Sequence, residues 1–303
     1  MSTFNFDRIR SLVTIGTFIS HENTLSPAAY ERIFRYLEDY LAGFVTAEQT
    51  AETLSEVILS YGNRLEESHW EFVELFLAAI RRIRDETVLR QLAELVAAFA
   101  SLPDAINTGS EPLRLRHNLI QPGEVIQSQG WRWWSDVPML GMELREELDW
   151  PPETGTYRHM GMSRKEARDR WANVIAFVAH LLKLHEETGI AWLGGFEIYP
   201  LWVLRSVLEG EFEDGDYRRE RFDPELVVAA AARMVCVLGP SMRRWSNDFG
   251  YDGAARGGPL FSGQGYSRAR TAFWARRLEQ FSTDRRLTAY SRALAREAAW
   301  TLM

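Results

Sequence analysis

The chain has 303 residues, 46% of them hydrophobic and 25% charged, with 35 Lys and Arg against 42 Asp and Glu for a formal net charge of -7. That balance belongs to an ordinary globular protein and excludes collagen-like, low-complexity and highly charged disordered chains. The lone cysteine, Cys236, excludes an internal disulfide, and the acidic sum argues against a phosphate-backbone partner. The charge is uneven: residues 1–150 hold 13 basic against 23 acidic groups, net -10, and residues 151–303 hold 22 against 19, net +3. From 240 onward the count is 11 against 5, net +6. This basic end reads as a solvated face or as helices lying against the acidic ones, with an anion or RNA grip as the other reading. No apolar run approaches the roughly 20 residues of a membrane span. Met1–Arg10 lacks the pattern of a signal peptide, so a cytoplasmic location is expected.

In chain order, Ser26-Pro27 reads as an N-cap followed by Pro at the first helical position. Ile33, Tyr36, Leu37, Tyr40 and Leu41 then recur at helical spacing until Gly43. Thr46-x-x-Gln49 is a capping box opening a helix to Tyr61, with Gly62 as its stop. A third helix is expected over 68–84 through Phe72, Leu75, Phe76, Ala79, Ile80 and Ile83. A fourth, over 87–102, runs through Leu92, Leu95, Val96 and Phe99 and is ended by Pro103. Short connections make these antiparallel hairpins, an acidic lobe over 1–105. Pro103, Gly109, Pro112, Pro122, Gly123 and Gly130 interrupt any helix that follows. Residues 106–162 therefore read as a Pro/Gly/Trp-rich connector holding one short helix over 138–149.

Of the 11 tryptophans only Trp70 precedes residue 131, which makes 163–303 an aromatic core lobe. Ser163-x-x-Glu166 opens its strongest helix, running to Glu187 with Gly189 as stop. Trp171, Val174, Ile175, Val178, Leu181 and Leu182 fall on one side and Ala176, Phe177 and Leu184 on the other, so this helix is expected to be buried all round. Another aromatic helix covers 196–209, followed by an acidic loop. Asp223-Pro224 caps a very apolar helix to Leu238, where the position of Cys236 predicts a buried, inert thiol. Residues 246–266 form a long glycine-rich loop, and helices over 267–281 and 285–302 close the chain.

Phosphate-loop, nucleophile-elbow and paired-histidine zinc motifs are absent, and one cysteine cannot build a thiolate metal site. No metal and no cofactor are therefore expected. Asn247-Asp248 resembles a magnesium motif of helical terpene cyclases only in part: the Ser or Thr four residues on and the terminal Glu are missing. The acidic run Glu209, Glu211, Glu213, Asp214, Asp216 lacks calcium-loop spacing.

Polar groups set in apolar helices carry the chemistry. Asn173 and His180, seven residues apart, share one face of the central helix; Glu197 and Arg205 sit among apolar neighbours and each needs a partner if buried. One reading is a structural ion pair beside a hydrogen-bonded core histidine. The other is a pocket in which His180 acts as acid or base, Glu197 orients it and Arg205 holds an anionic group, walled by Trp171, Trp192 and Trp202 with Asn173. Arg256-Gly257-Gly258 offers backbone N–H groups and a guanidinium to an anion.

The blocks WRWWSDVPMLGMELREELDW (131–150), RWANVIAFVAHLLKL (170–184), FEIYPLWVLRSVLE (196–209) and ARGGPLFSGQGYSRARTAFWARRLE (255–279) resemble, in order and spacing, the fungal domain of unknown function 3632 family. The resemblance implies an all-helical intracellular protein of a fungal group with some members in secondary-metabolite clusters, and it supplies no catalytic residue. The expected fold is all-α, a single domain of about eleven packed antiparallel helices with no significant sheet. The expected function is that of a metal-independent small-molecule enzyme or binding protein of fungal specialised metabolism. The alternative is a non-catalytic helical interaction module presenting its N-terminal hairpins to a protein partner. Neither a membrane nor a nucleic-acid partner is expected.

Overall fold

A computed structural model describes residues 24–149, 161–210, 223–250 and 253–303. The chain is mostly helical, about 65%. It divides into two compact units, Met1–Ala79 with Gln91–Leu144, and Ile80–Arg90 with Arg145–Met303.

In the first unit, helix α1 (Pro27–Leu41) starts where Ser26 accepts a hydrogen bond from the Ala29 N–H. It buries Ile33, Phe34, Leu37 and Tyr40. Helix α2 (Ala47–Leu59) opens with the expected capping box: Thr46 N–H donates to Gln49 Oε1 at 3.0 Å and Gln49 N–H to Thr46 Oγ1 at 3.3 Å. Helices α3 (Leu65–Ile80) and α4 (Glu86–Ala100) follow, with the first residues of α4, Glu86 to Arg90, belonging to the second unit. The third helix therefore starts three residues earlier and ends four earlier than its apolar period suggests. Asp85 takes over at the next start, accepting from the Thr87 and Val88 N–H groups.

Over residues 106–149 the connector carries more regular structure than its prolines and glycines imply. Strands β1 (Leu113–Arg114) and β2 (Leu119–Ile120) pair antiparallel, as do β3 (Gln127–Ser128) and β4 (Trp131–Arg132). Buried Asn107 holds the first turn by donating to Glu111 O and Ile120 O while accepting from Gly109 N–H. Glu66 accepts from Ser128 Oγ at 2.9 Å and from Arg116 N–H at 2.5 Å. These two-residue ladders are the only sheets among the described residues, a small exception to the all-helical expectation. Helix α5 (Pro138–Asp149) comes next.

The second unit is built on helix α6 (Arg164–Thr188), with the Ser163/Glu166 capping box at its start and left-handed Gly189, φ 72°, at its end. Residues 171–182 of α6 are buried without a break, as the two-sided apolar pattern predicts. Helices α7 (Ala191–Gly194), α8 (Ile198–Leu208) and α9 (Pro224–Leu238) follow, then α10 (Arg268–Phe281) and α11 (Ala289–Leu302). The last helix begins later than 285 because Thr288 caps it, accepting from Ser291 N–H. Helices α6, α9 and α11 pack together. Glu225 ties their ends: one oxygen accepts from Arg168, Thr288 Oγ1 and Ser291 Oγ, the other from Thr288 N–H.

The stretch Pro224–Arg244 is long and apolar enough to cross a membrane by length and composition alone, contrary to the expectation that no run reaches that length. Its apolar window is 78% buried within the protein. Cys236 lies in it, with its thiol pushed up to about 12 by burial, helped by Glu297 and Glu86.

Candidate functional site

Four polar side chains converge in the second unit, and α6 supplies two of them. Residues seven apart on a helix differ by about 20° in direction after two turns, so Asn173 and His180 both face the same neighbour. Asn173 Nδ2 donates to Arg81 O at 3.1 Å, and its Oδ1 accepts from Arg233 Nη1 at 2.5 Å. Arg233 stands in the middle of apolar α9, 6% exposed. It also donates from Nη2 to Arg84 O at 3.1 Å and from Nε to Glu86 Oε1 at 2.5 Å. The other Glu86 oxygen lies 2.8 Å from His180 Nε2.

One carboxylate is thus shared between an imidazole and a guanidinium. The Glu86 side chain is 45% exposed, that of His180 11% and that of Arg233 7%, so only the carboxylate faces water. Partial burial raises the Glu86 pKa, but the His180 hydrogen bond and the Arg233 charge outweigh it and hold the group below the usual carboxylate range. His180 Nε2 is the ring nitrogen that meets the carboxylate, so Nδ1 is the one turned away from it. That nitrogen has no partner among the described residues. An imidazole held by a carboxylate in this way is able to serve as an oriented base.

The remaining expected site residues lie elsewhere in the same unit. Glu86, not Glu197, orients His180; Glu197 is half-buried and its Oε2 accepts from Asn247 Nδ2 at 3.3 Å. Arg205 is half-buried rather than core, and one of its bonds goes to Gly253 O at 3.4 Å. Trp192, Phe196, Tyr199 and Trp202 stack in a ladder along α7 and α8, with successive ring centroids 5.0, 5.6 and 5.1 Å apart. Trp171 is buried in α6. The indole N–H groups of Trp171 and Trp202 are both buried without a partner among the described residues. Trp150 and residues 211–222, including Glu211, Glu213, Asp214 and Asp216, lie outside the described residues. Among the described residues no cluster of three His, Cys, Asp or Glu side chains is placed to hold a metal.

Residues 56–278 match the family described as Protein of unknown function (DUF3632). The chain belongs to this family. No curated protein and no solved structure matches it. The DUF3632 span contains every member of the Glu86 cluster, whereas α11 lies beyond it.

The glycine-rich loop of this DUF3632 chain is organised by a buried ion pair that sequence reasoning missed. Glu209 and Arg270 are both 0% exposed. Arg270 donates to both Glu209 oxygens, at 2.6 and 3.0 Å, and to the carbonyls of Ala255, Gly265 and Arg256 at 2.9, 2.8 and 3.1 Å. Glu209 also accepts from Trp274 Nε1 at 2.7 Å and from Gly258 N–H at 2.6 Å. The anion that the Arg256-Gly257-Gly258 segment was expected to catch is therefore already present as Glu209. The Gly257 N–H donates to Gly263 O, and Arg256 is exposed. A Cβ on Gly257 would sit 1.9 Å from Phe261 O, and one on Gly265, whose φ is +58°, 2.3 Å from Asp248 Cα.

Proposed function

We propose that this protein binds a small organic molecule and acts on it by metal-independent acid–base chemistry, with His180 as the base and Glu86 as the group that orients it. The observation that carries the reading is the Glu86–His180 contact of 2.8 Å with the Nδ1 side of the ring unpartnered among the described residues. Carboxylate, imidazole and a free ring nitrogen form the relay that general-base catalysis needs. Arg233 and Asn173 are positioning residues: they fix the carboxylate that fixes the ring. In this reading the unpartnered indoles of Trp171 and Trp202, with Trp192, supply aromatic walls, and Glu197, Arg205 and Arg256 supply outer polar contacts. We place the protein in the cytoplasm and in fungal specialised metabolism, and its helices in a packed antiparallel bundle.

The test is equilibrium dialysis of the full chain against a fungal metabolite extract, read by mass spectrometry, for wild type, His180→Gln and Glu86→Gln. Retention of a compound by wild type, with at least tenfold less in His180→Gln at unchanged helicity, is the expected result. Identical retention by all three proteins refutes the assignment.

A second reading, a non-catalytic module with a protein partner, is favoured by one feature. Phe44, at the turn between α1 and α2, is 80% exposed. A Phe44→Ser variant that loses a co-purifying partner while leaving the metabolite profile unchanged would decide for this reading.

A further inference from the structure

Two stretches of the second unit share one pattern, two arginines, any residue, then a hydroxyl: Arg243-Arg244-Trp245-Ser246 and Arg285-Arg286-Leu287-Thr288. A hydroxyl preceded by two guanidiniums suits a kinase with acidic groups along its substrate channel, because carboxylates pair with guanidiniums through two parallel hydrogen bonds. The pattern alone does not separate the two stretches, but their surroundings do.

Ser246 lies in an irregular segment that follows the short 3₁₀ helix Gly239–Arg244. Trp245 is extended, with φ -67° and ψ 135°. On one side of Ser246, Trp245 Nε1 donates to Glu186 Oε1 at 3.1 Å and its ring lies 5.0 Å from that of Tyr266. On the other side, Asn247 Nδ2 donates to Glu197 Oε2 at 3.3 Å and Asn247 O accepts from Tyr266 N–H at 3.0 Å. These neighbours hold the segment in place, while Ser246 itself is exposed and its hydroxyl has no partner among the described residues. Arg243 and Arg244 are exposed as well. Neither meets a carboxylate among the described residues; Arg243 makes one long contact, to Pro240 O at 3.5 Å.

Thr288 is the opposite case. Its hydroxyl caps α11, accepting from Ser291 N–H at 3.3 Å and donating to Glu225 Oε1 at 3.0 Å. Its own N–H donates to the other Glu225 oxygen at 2.8 Å. Arg286 is already committed to Asp284 at 2.7 Å. A phosphate on Thr288 would break the cap and face a Glu225 side chain that is 3% exposed.

We propose that Ser246 is a phosphorylation site for a Ser/Thr kinase that reads basic residues, and that Thr288 is not one. The step moves the γ-phosphoryl group of ATP to Ser246 Oγ. The P–O bond to the β-phosphate breaks, a P–O bond to Oγ forms, ADP leaves, and the hydroxyl proton passes to the catalytic aspartate of the kinase. The product carries about -1.5 to -2 charge at pH 7, set in a region, 240–303, whose sum is +6. Arg243 and Arg244 become its partners through charge-assisted hydrogen bonds. The site is independent of the Glu86–His180 reading, since none of its residues belongs to that cluster.

The experiment incubates the full chain with MgATP and the catalytic subunit of cyclic-AMP-dependent protein kinase as the probe, and locates phosphate by mass spectrometry of proteolytic peptides. Ser246 should be modified at least tenfold faster than Thr288. Ser246→Ala should lose the modification, and Arg243→Gln with Arg244→Gln should slow it at least tenfold at unchanged helicity. No transfer to Ser246, equal rates at Ser246 and Thr288, or a rate unaffected by the two arginine changes would overturn the proposal.

Discussion

Replacing Arg270 by Met should be the most destabilising conservative-volume change in the second unit. The guanidinium makes five hydrogen bonds at 0% exposure, two to Glu209 and three to loop carbonyls. Met fills similar volume and donates nothing. Glu209 would keep only Trp274 Nε1 and Gly258 N–H around a fully buried charge. Removing one partner of a buried ion pair costs about 3–5 kcal/mol. The carbonyls of Ala255, Arg256 and Gly265 lose their donor too; rehydrating them means opening the loop. Arg270→Lys restores the charge but cannot span both Glu209 oxygens and three diverging carbonyls, so it should fall between wild type and Arg270→Met. Replacing both partners, Glu209→Leu with Arg270→Met, should cost less than the sum of the single changes by about 1–3 kcal/mol, the signature of direct coupling. The assay is urea unfolding followed by far-ultraviolet circular dichroism, because Trp274 fluorescence reports on the mutated site itself. A loss below about 1 kcal/mol for Arg270→Met, or strict additivity in the cycle, would refute the account of the loop as held by this pair.

Two further outcomes follow from the same structure. The folded His69 takes its proton only near pH 3, whereas an unfolded histidine does so near 6.5. Between those values the unfolded chain binds the proton and the folded one does not, so stability is complete above about pH 6.5 and falls as pH drops toward 3. From pH 7 to 5 the loss is about 2 kcal/mol, and it should be missing from His69→Phe when the wild-type and variant differences at the two pH values are compared. In the loop, Gly257→Ala should cost about 2 kcal/mol or more, because its Cβ meets the Phe261 carbonyl at 1.9 Å. Gly253→Ala, with nothing within 4 Å, should stay within about 0.5 kcal/mol; equal effects in thermal unfolding would disprove the packing argument.

Helix starts were legible because their causes are local. Ser26, Thr46, Ser163 and Asp223 each satisfy an N–H two or three residues on, in both sequence and structure. Helix ends and the connector were less so. The third helix stops at Ile80 although Ile83 continues its apolar period, and the next start at Glu86 is set by Asp85 rather than by periodicity. The two short hairpins depend on hydrogen bonds that span 13 residues of sequence, from Asn107 to Ile120, and 62, from Glu66 to Ser128, which no window-based reading contains.

The candidate site shows the same divide more sharply. His180 and Asn173 were visible because one helix puts them on one face. Their partners come from Glu86, 94 residues before His180, and from Arg233, 60 residues after Asn173. Local surroundings misled in two directions. Glu197 and Arg205 have apolar neighbours along the chain, yet α8 leaves both half-buried. Glu209 looked like the first member of a solvated acidic run, yet it is 0% exposed beside Arg270. One signal was available and unused: Arg233 interrupts the apolar sequence AAAARMVCVL of a helix whose whole length reads as core. A lone arginine there cannot stay unpaired, since burying its charge without a partner costs several kcal/mol. The sequence therefore demanded an acidic partner from outside α9, and the first turn of α4, with Glu86 beside its cap, is where the fold supplies it.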